Sequence, residues 1–142
     1  MREGSPTGRS EREFERSYAA LKEIFAFTAA YFRDEGMADA DRFAVDFAIE
    51  EIFTNIVKYH PGSPHGVAVS LERDGERLRI TLVDRDTEAF DPVAAPDART
   101  DAPIEERKPG GLGIHLTRRL VDGMEYTYTD RTSTVTLTKR LR

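Results

Sequence analysis

From about Glu11 to Glu35 apolar side chains return every three or four residues: Phe14, Tyr18, Leu21, Phe25, Ala29 and Phe32. That spacing is one face of an α-helix and predicts a first helix over 11–35, with Gly36 as its C-terminal cap. Asp39 or Asp41 can cap a second helix that runs to about Tyr59, where Pro61 ends it. The period then changes. Val67, Val69 and Leu71 fall on one side of an extended segment, as do Leu78, Ile80 and Leu82, with Asp74-Gly75 between the two runs. Period-two runs flanking an Asp-Gly pair predict a β-hairpin. A third helix is expected over 112–121, amphipathic through Leu112, Leu116, Leu120 and Val121. Met124, Tyr126 and Tyr128, then Val135 and Leu137, predict a closing hairpin that turns near Asp130.

Two segments lack either period. Residues 1–10 are rich in Gly, Ser, Pro and Thr and read as a flexible tail ahead of one domain over 11–142. The stretch 91–109 carries four prolines and several Asp and Ala. It is long for a loop in a compact domain, so it is either a functional lid or a disordered insert. The order helix, helix, hairpin, lid, helix, hairpin predicts an α+β fold. It should be a two-layer sandwich whose mixed, mostly antiparallel sheet is covered on one face by helices.

Composition narrows the functional classes. The chain has 142 residues, and 21 Lys and Arg against 26 Asp and Glu give a net charge of −5. That balance argues against wrapping nucleic acid, whose affinity comes mainly from neutralising phosphates. Without cysteine there is no disulfide framework, thiolate nucleophile or zinc ribbon. Three histidines, with His60 and His65 in a Pro/Gly loop, make a poor metal inventory. No apolar run approaches the ~20 residues that span a bilayer. The polar start lacks a signal peptide's apolar stretch, so a cytoplasmic location is expected.

Three places depart from a plain core. On the second helix Val45, Ala48, Ile49, Ile52, Ile56 and Tyr59 form an apolar stripe, and Glu51, Asn55 and Lys58 form another about a quarter-turn away. A carboxylate, an amide oxygen and an ammonium on one face offer a base, a hard-cation ligand and a phosphate contact; a solvated helix face explains the same three residues. The run Ile80-Thr81-Leu82-Val83 ends in Asp84, a carboxylate at a strand end or an ordinary turn aspartate. Finally, Gly110-Gly111-Leu112-Gly113 precedes the third helix. Such glycines let backbone N–H groups approach a phosphate at the positive helix terminus, or simply form a hinge.

In this order the three motifs resemble the GHKL ATPase superfamily with its Bergerat nucleotide-binding fold, and within it the small anti-sigma-factor serine/threonine kinases. Glu51-Ile-Phe-Thr-Asn55-Ile-Val-Lys-Tyr is similar to their N box. Gly110-Gly111-Leu112-Gly113-Ile114-His115-Leu116, followed by Leu120-Val121-Asp122, is similar to their second glycine box and the helix behind it. The resemblance covers about residues 14–141. It implies Glu51 as general base, Asn55 as the Mg²⁺ ligand, Lys58 as a phosphate contact and Asp84 as acceptor of the adenine amino group. It further implies that Gly110, Gly111, Leu112 and Gly113 form the turn that closes the lid over the phosphates of ATP. Thr134 matches a threonine near adenine by a looser alignment. His60 and His115 are expected to be structural or solvent-facing.

One motif departs from the family. The first glycine box usually reads Asp-x-Gly, whereas this chain has Asp84-Arg85-Asp86. Glycine there lets the backbone pass close to the base, and a carboxylate is expected to crowd and charge that spot. The resemblance implies an ATP- and Mg²⁺-dependent serine/threonine kinase that phosphorylates an antagonist protein, holds a sigma factor by partner switching and forms a homodimer. It implies no direct contact with nucleic acid or membrane. The alternative is a catalytically weak or silent regulator of the same fold that acts by protein–protein binding. The ATP-binding half of a sensor histidine kinase is disfavoured, since no helix hairpin with a phosphorylatable histidine is present.

Overall fold

The computed structural model describes residues 8–89 and 111–141. Its elements are strand β1 (Arg9–Phe14), a 3-10 turn (Tyr18–Ala20), helices α1 (Leu21–Glu35) and α2 (Asp39–Tyr59), strands β2 (Val67–Asp74) and β3 (Arg77–Arg85), helix α3 (Gly111–Leu120), and strands β4 (Gly123–Thr129) and β5 (Thr132–Arg140). The five strands form one sheet in the order β1-β2-β3-β5-β4, and all four pairings are antiparallel. The expected 91–109 lid and the tail over 1–7 lie outside the described residues.

The first expected helix is corrected at its start. Residues 9–14 pair with β2 from Arg9↔Glu72 to Phe14↔Val67, so α1 begins only at Leu21 and the sheet begins inside the stretch read as tail. Of this strand's side chains only Phe14 is buried, and the sequence Arg-Ser-Glu-Arg-Glu-Phe has no apolar alternation to announce it. The inward face of α1 changes with it. Ile24, Thr28, Tyr31 and Phe32 are buried, rather than a stripe continued from Phe14 and Tyr18. Gly36 does close α1, with φ 68° and its N–H donating to the Arg33 and Phe32 carbonyls. The Tyr31 hydroxyl donates to the Gly8 carbonyl and accepts from the Arg73 N–H, which fastens the chain's start to β2.

The hairpins follow their patterns. Asp74 pairs with Arg77 around Gly75, at φ 63°, and Val67, Val69, Leu71, Leu78, Ile80 and Leu82 are all fully buried beneath the helices. Val135 and Leu137 continue that inner face on β5. Helix α2 is the central helix, meeting α1, α3 and β3. Buried residues encircle much of it, including Val45, Ala48, Ile49, Ile52, Phe53, Ile56 and Val57. Phe43 is the exception at 67% exposure. Burying one such aliphatic or aromatic side chain contributes ~1.5–3 kcal/mol, so the many buried residues of α2 make it a major contributor to the core.

Candidate active site

Helix α2 carries Glu51, Asn55 and Lys58 along its length, and their surroundings grade from buried to open. Asn55 is 4% exposed, Glu51 is half-buried and Lys58 is exposed, with its Nζ 5.4 Å from the centre of the Tyr59 ring. Burial, then repulsion from Glu50, holds the Glu51 carboxyl above the ordinary carboxylate range, against the pull of Lys58. The Thr54 hydroxyl folds back onto the Glu50 and Glu51 carbonyls at 2.8 and 3.2 Å and does not compete for the Glu51 carboxylate. Helix α3 packs on α2 through its middle and end, where Ile114, Thr117 and Val121 are buried. Gly111, Leu112 and Gly113 form its first turn, which brings that turn to the α2 side of the sheet. Gly110 lies outside the described residues.

Asp84 sits on the inner face at the end of β3 and is 1% exposed. Both its oxygens are engaged. Arg16 Nη2 donates to Oδ1 at 2.6 Å, and His60 Nδ1 stands 2.9 Å from Oδ2. A carboxylate only accepts, so the histidine hydrogen is on Nδ1. Arg16 Nε also donates to the His65 carbonyl at 3.1 Å. His60 follows the last residue of α2, five residues beyond Asn55, so the Asp84 cluster lies ~7.5 Å further along that helix. His60, expected to be structural or solvent-facing, is largely buried and has the aspartate itself as its partner.

Asp86 occupies the glycine position of the first glycine box with φ 59°, the left-handed region that glycine usually fills and aspartate tolerates. Its side chain is turned to Arg131, whose Nε donates to Oδ1 at 3.1 Å. The expectation that this carboxylate crowds the pocket is corrected to this extent: Asp86 takes up a left-handed backbone and directs its charge to the β4–β5 turn. Thr87 anchors there too, its N–H donating to the Arg131 carbonyl at 3.0 Å and its carbonyl accepting from Tyr128 Oη at 2.8 Å.

Thr134 is not brought to the site. It pairs with Val83, on the sheet face opposite Asp84. Ser133 pairs with Asp84 itself, is 4% exposed and shares a 3.2 Å hydrogen bond with the Tyr126 hydroxyl. The parity of Val135 and Leu137, both inward, is the sequence signal that selects Ser133 over Thr134. His60 was in view from the sequence without its role; Arg16 carried no local signal at all. Among the described residues, no group of three His, Cys, Asp or Glu side chains could hold a metal ion by itself.

A helix bearing Glu and Asn, an inward Asp at a strand end and a glycine turn opening a third helix, over one open antiparallel sheet, make up an α+β fold of the histidine-kinase type. The chain belongs to the histidine kinase-like ATPase domain family, whose model matches residues 14–139. Among curated proteins it is similar to the serine/threonine-protein kinase BtrW of Bordetella bronchiseptica, at 26% identity over 99 residues, 68% of this chain and 69% of that protein. Two solved structures share the fold. The RsbU and RsbW domains of Rv1364c from Mycobacterium tuberculosis align with a TM-score of 0.67 and 18% identity, over 94% of this chain and 32% of that one. The SiaB–SiaC complex from Pseudomonas aeruginosa aligns with a TM-score of 0.61 and 17% identity, over 94% of this chain and 88% of the other. No helix among the described residues is long and apolar enough to cross a membrane.

Proposed function

We propose that this chain is an anti-sigma-factor-type serine/threonine protein kinase that binds Mg-ATP against α2 and phosphorylates an antagonist protein. The observation that carries the reading is Glu51: a half-buried carboxylate, held above its ordinary range, one helical turn before the buried Asn55. A carboxylate raised toward neutrality is a better proton acceptor than an exposed one. Glu51 takes the proton from a serine or threonine hydroxyl as that oxygen bonds to the γ-phosphorus and the bond to the β-phosphate oxygen breaks, leaving ADP. Lys58 offers its ammonium to the phosphates, and the Gly111–Gly113 turn offers backbone N–H groups at the α3 terminus. Asp84 accepts from the adenine amino group, with Ser133 beside it.

The donor set fits Mg²⁺. This ion is commonly held by one or two protein oxygens together with phosphates and waters, and a protein-only cage of carboxylates is missing among the described residues. The Asn55 amide oxygen would hold it, and once bound it would neutralise charge on the transferring phosphoryl group. Assembly with a second protein, and control by phosphorylating it, are supported by SiaB having been solved with SiaC and by the kinase relative. A phosphate's ~2 negative charges would disrupt an acidic or apolar interface and so release one partner for another, a sigma factor in this reading. The homodimer belongs to the same proposal.

Calorimetric titration with ATP, with and without Mg²⁺, tests the site. Mg²⁺-dependent binding that is lost in Asn55→Ala is the expected result. No binding at millimolar nucleotide would overturn the kinase reading in favour of a regulator that acts by protein binding alone, the reading that the doubly engaged Asp84 favours.

A further inference from the structure

Asp84 is the group the proposed function assigns to the nucleobase, yet its carboxylate is buried and each oxygen already accepts a hydrogen bond. The oxygens keep further lone pairs, but with Asp84 1% exposed an exocyclic amino group meets them only once a covering group such as Arg16 or His60 moves aside. The larger donor, Arg16, is 5% exposed in its side chain and incompletely satisfied: Nη1 is buried without a hydrogen-bond partner. A buried, unpaired guanidinium N–H is costly, so Arg16 is short of one partner in its seat on Asp84. Arg16 also borders a cleft of about 400 Å³ between the end of β1 and the 61–66 loop, lined in addition by Glu13, Glu15, Pro61, Ser63 and His65. Glu13 and Glu15 are exposed carboxylates, engaged with Gly66 N–H and Ser17 Oγ at 3.1 Å. They give the guanidinium a second, acidic seat within reach of its own backbone.

We propose that Arg16 and His60 form a latch on Asp84 that must open before a nucleobase is bound, with Arg16 swinging from Asp84 into the cleft beside Glu13 and Glu15. This rests on reading Asp84 as the base-recognising group. The latch keeps the ligand-free pocket from leaving a buried aspartate unpaired, and its opening is subtracted from nucleotide affinity. It involves no covalent step. The closed and open seats of one guanidinium make the base pocket and the β1–loop cleft alternative states of the same residue, so whatever fills the cleft holds the latch shut and opposes nucleotide.

The test is calorimetric titration of Mg-ATP into the wild-type chain, His60→Ala and Arg16→Ala, together with the imidazole NMR signals of the wild-type chain, whose three histidines are readily assigned. Freeing one oxygen of Asp84 removes a charge-assisted hydrogen bond, so His60→Ala should bind on the order of tenfold tighter. The His60 ring signals should shift as wild type saturates. Equal or weaker binding by His60→Ala, or an unmoved His60 signal at saturation, would overturn the latch while leaving the nucleotide site in place. Absence of binding in all three chains would remove the site and the latch together. Should Arg16→Ala fail to fold, the His60 variant and the wild-type spectrum still decide.

Discussion

Glu51 and Asp84 are the two carboxylates of the proposed site, and the fold treats them in opposite ways. Glu51 stands half-buried on α2 with a like charge at Glu50 as neighbour, and its anion is disfavoured. Asp84 is more deeply buried, yet its anion is matched by a guanidinium at 2.6 Å and an imidazole at 2.9 Å. What separates them is the supply of donors: α2 offers Glu51 Lys58, seven residues and about two turns away, whereas the β1 end and the α2 end converge on Asp84. Glu51, short of partners, is placed to take a proton, whereas Asp84 is covered by two donors that a ligand would have to move.

Substitutions can break this contrast, and the largest effect is expected at Glu51. Glu51→Gln keeps the shape and removes the base, so phosphoryl transfer to the antagonist should fall ~100- to 10,000-fold with Mg-ATP binding retained. A parallel loss of ATP binding would show that Glu51 holds ligand rather than the proton. Asp84→Ala comes next. It strands Arg16 and His60 without their acceptor, and breaking a buried pair in this way costs ~3–5 kcal/mol. Urea unfolding should show the midpoint dropping accordingly, and an unchanged midpoint would mean the cluster contributes nothing to the fold.

Asp86 sharpens the comparison as a third carboxylate whose charge matters little. Its exposed pair with Arg131 is worth at most ~1 kcal/mol, while its left-handed backbone is the requirement. Asp86→Gly should change stability by under ~0.5 kcal/mol, whereas Asp86→Ala should lose ~1 kcal/mol in chemical denaturation. The smallest effect is the pH response of Glu51. Its folded-state affinity for protons exceeds the unfolded one, so stability falls as pH rises from the unfolded value through the folded one. Glu51→Gln lacks that slope, and its melting temperature relative to wild type should rise between about pH 4 and about pH 7. A constant difference across that range would contradict the raised value.

Periodicity, with local cap and turn residues such as Asp39, Pro61 and Asp74-Gly75, determined α2, both hairpins and the helices-on-one-face architecture, because each buries a face whose spacing is written in nearby residues. The placing of Glu51 and Asn55 on one helix face was legible for the same reason: they are one turn apart wherever a helix forms. Inner and outer sheet faces were legible too, though the parity of β5 had to be followed to reach Ser133 instead of Thr134. β1 was not legible, since an edge strand with a single buried side chain is stabilised by pairing with β2 and leaves almost no pattern in its own residues. Nor was the latch. Arg16 and Asp84 are 68 positions apart, and His60 and Asp84 are 24 apart. Their meeting depends on the register of β1 on β2 and on where α2 ends above β3, which only the packed sheet and helices decide. Sequence determined which groups could do chemistry here; tertiary structure decided which of them is already occupied.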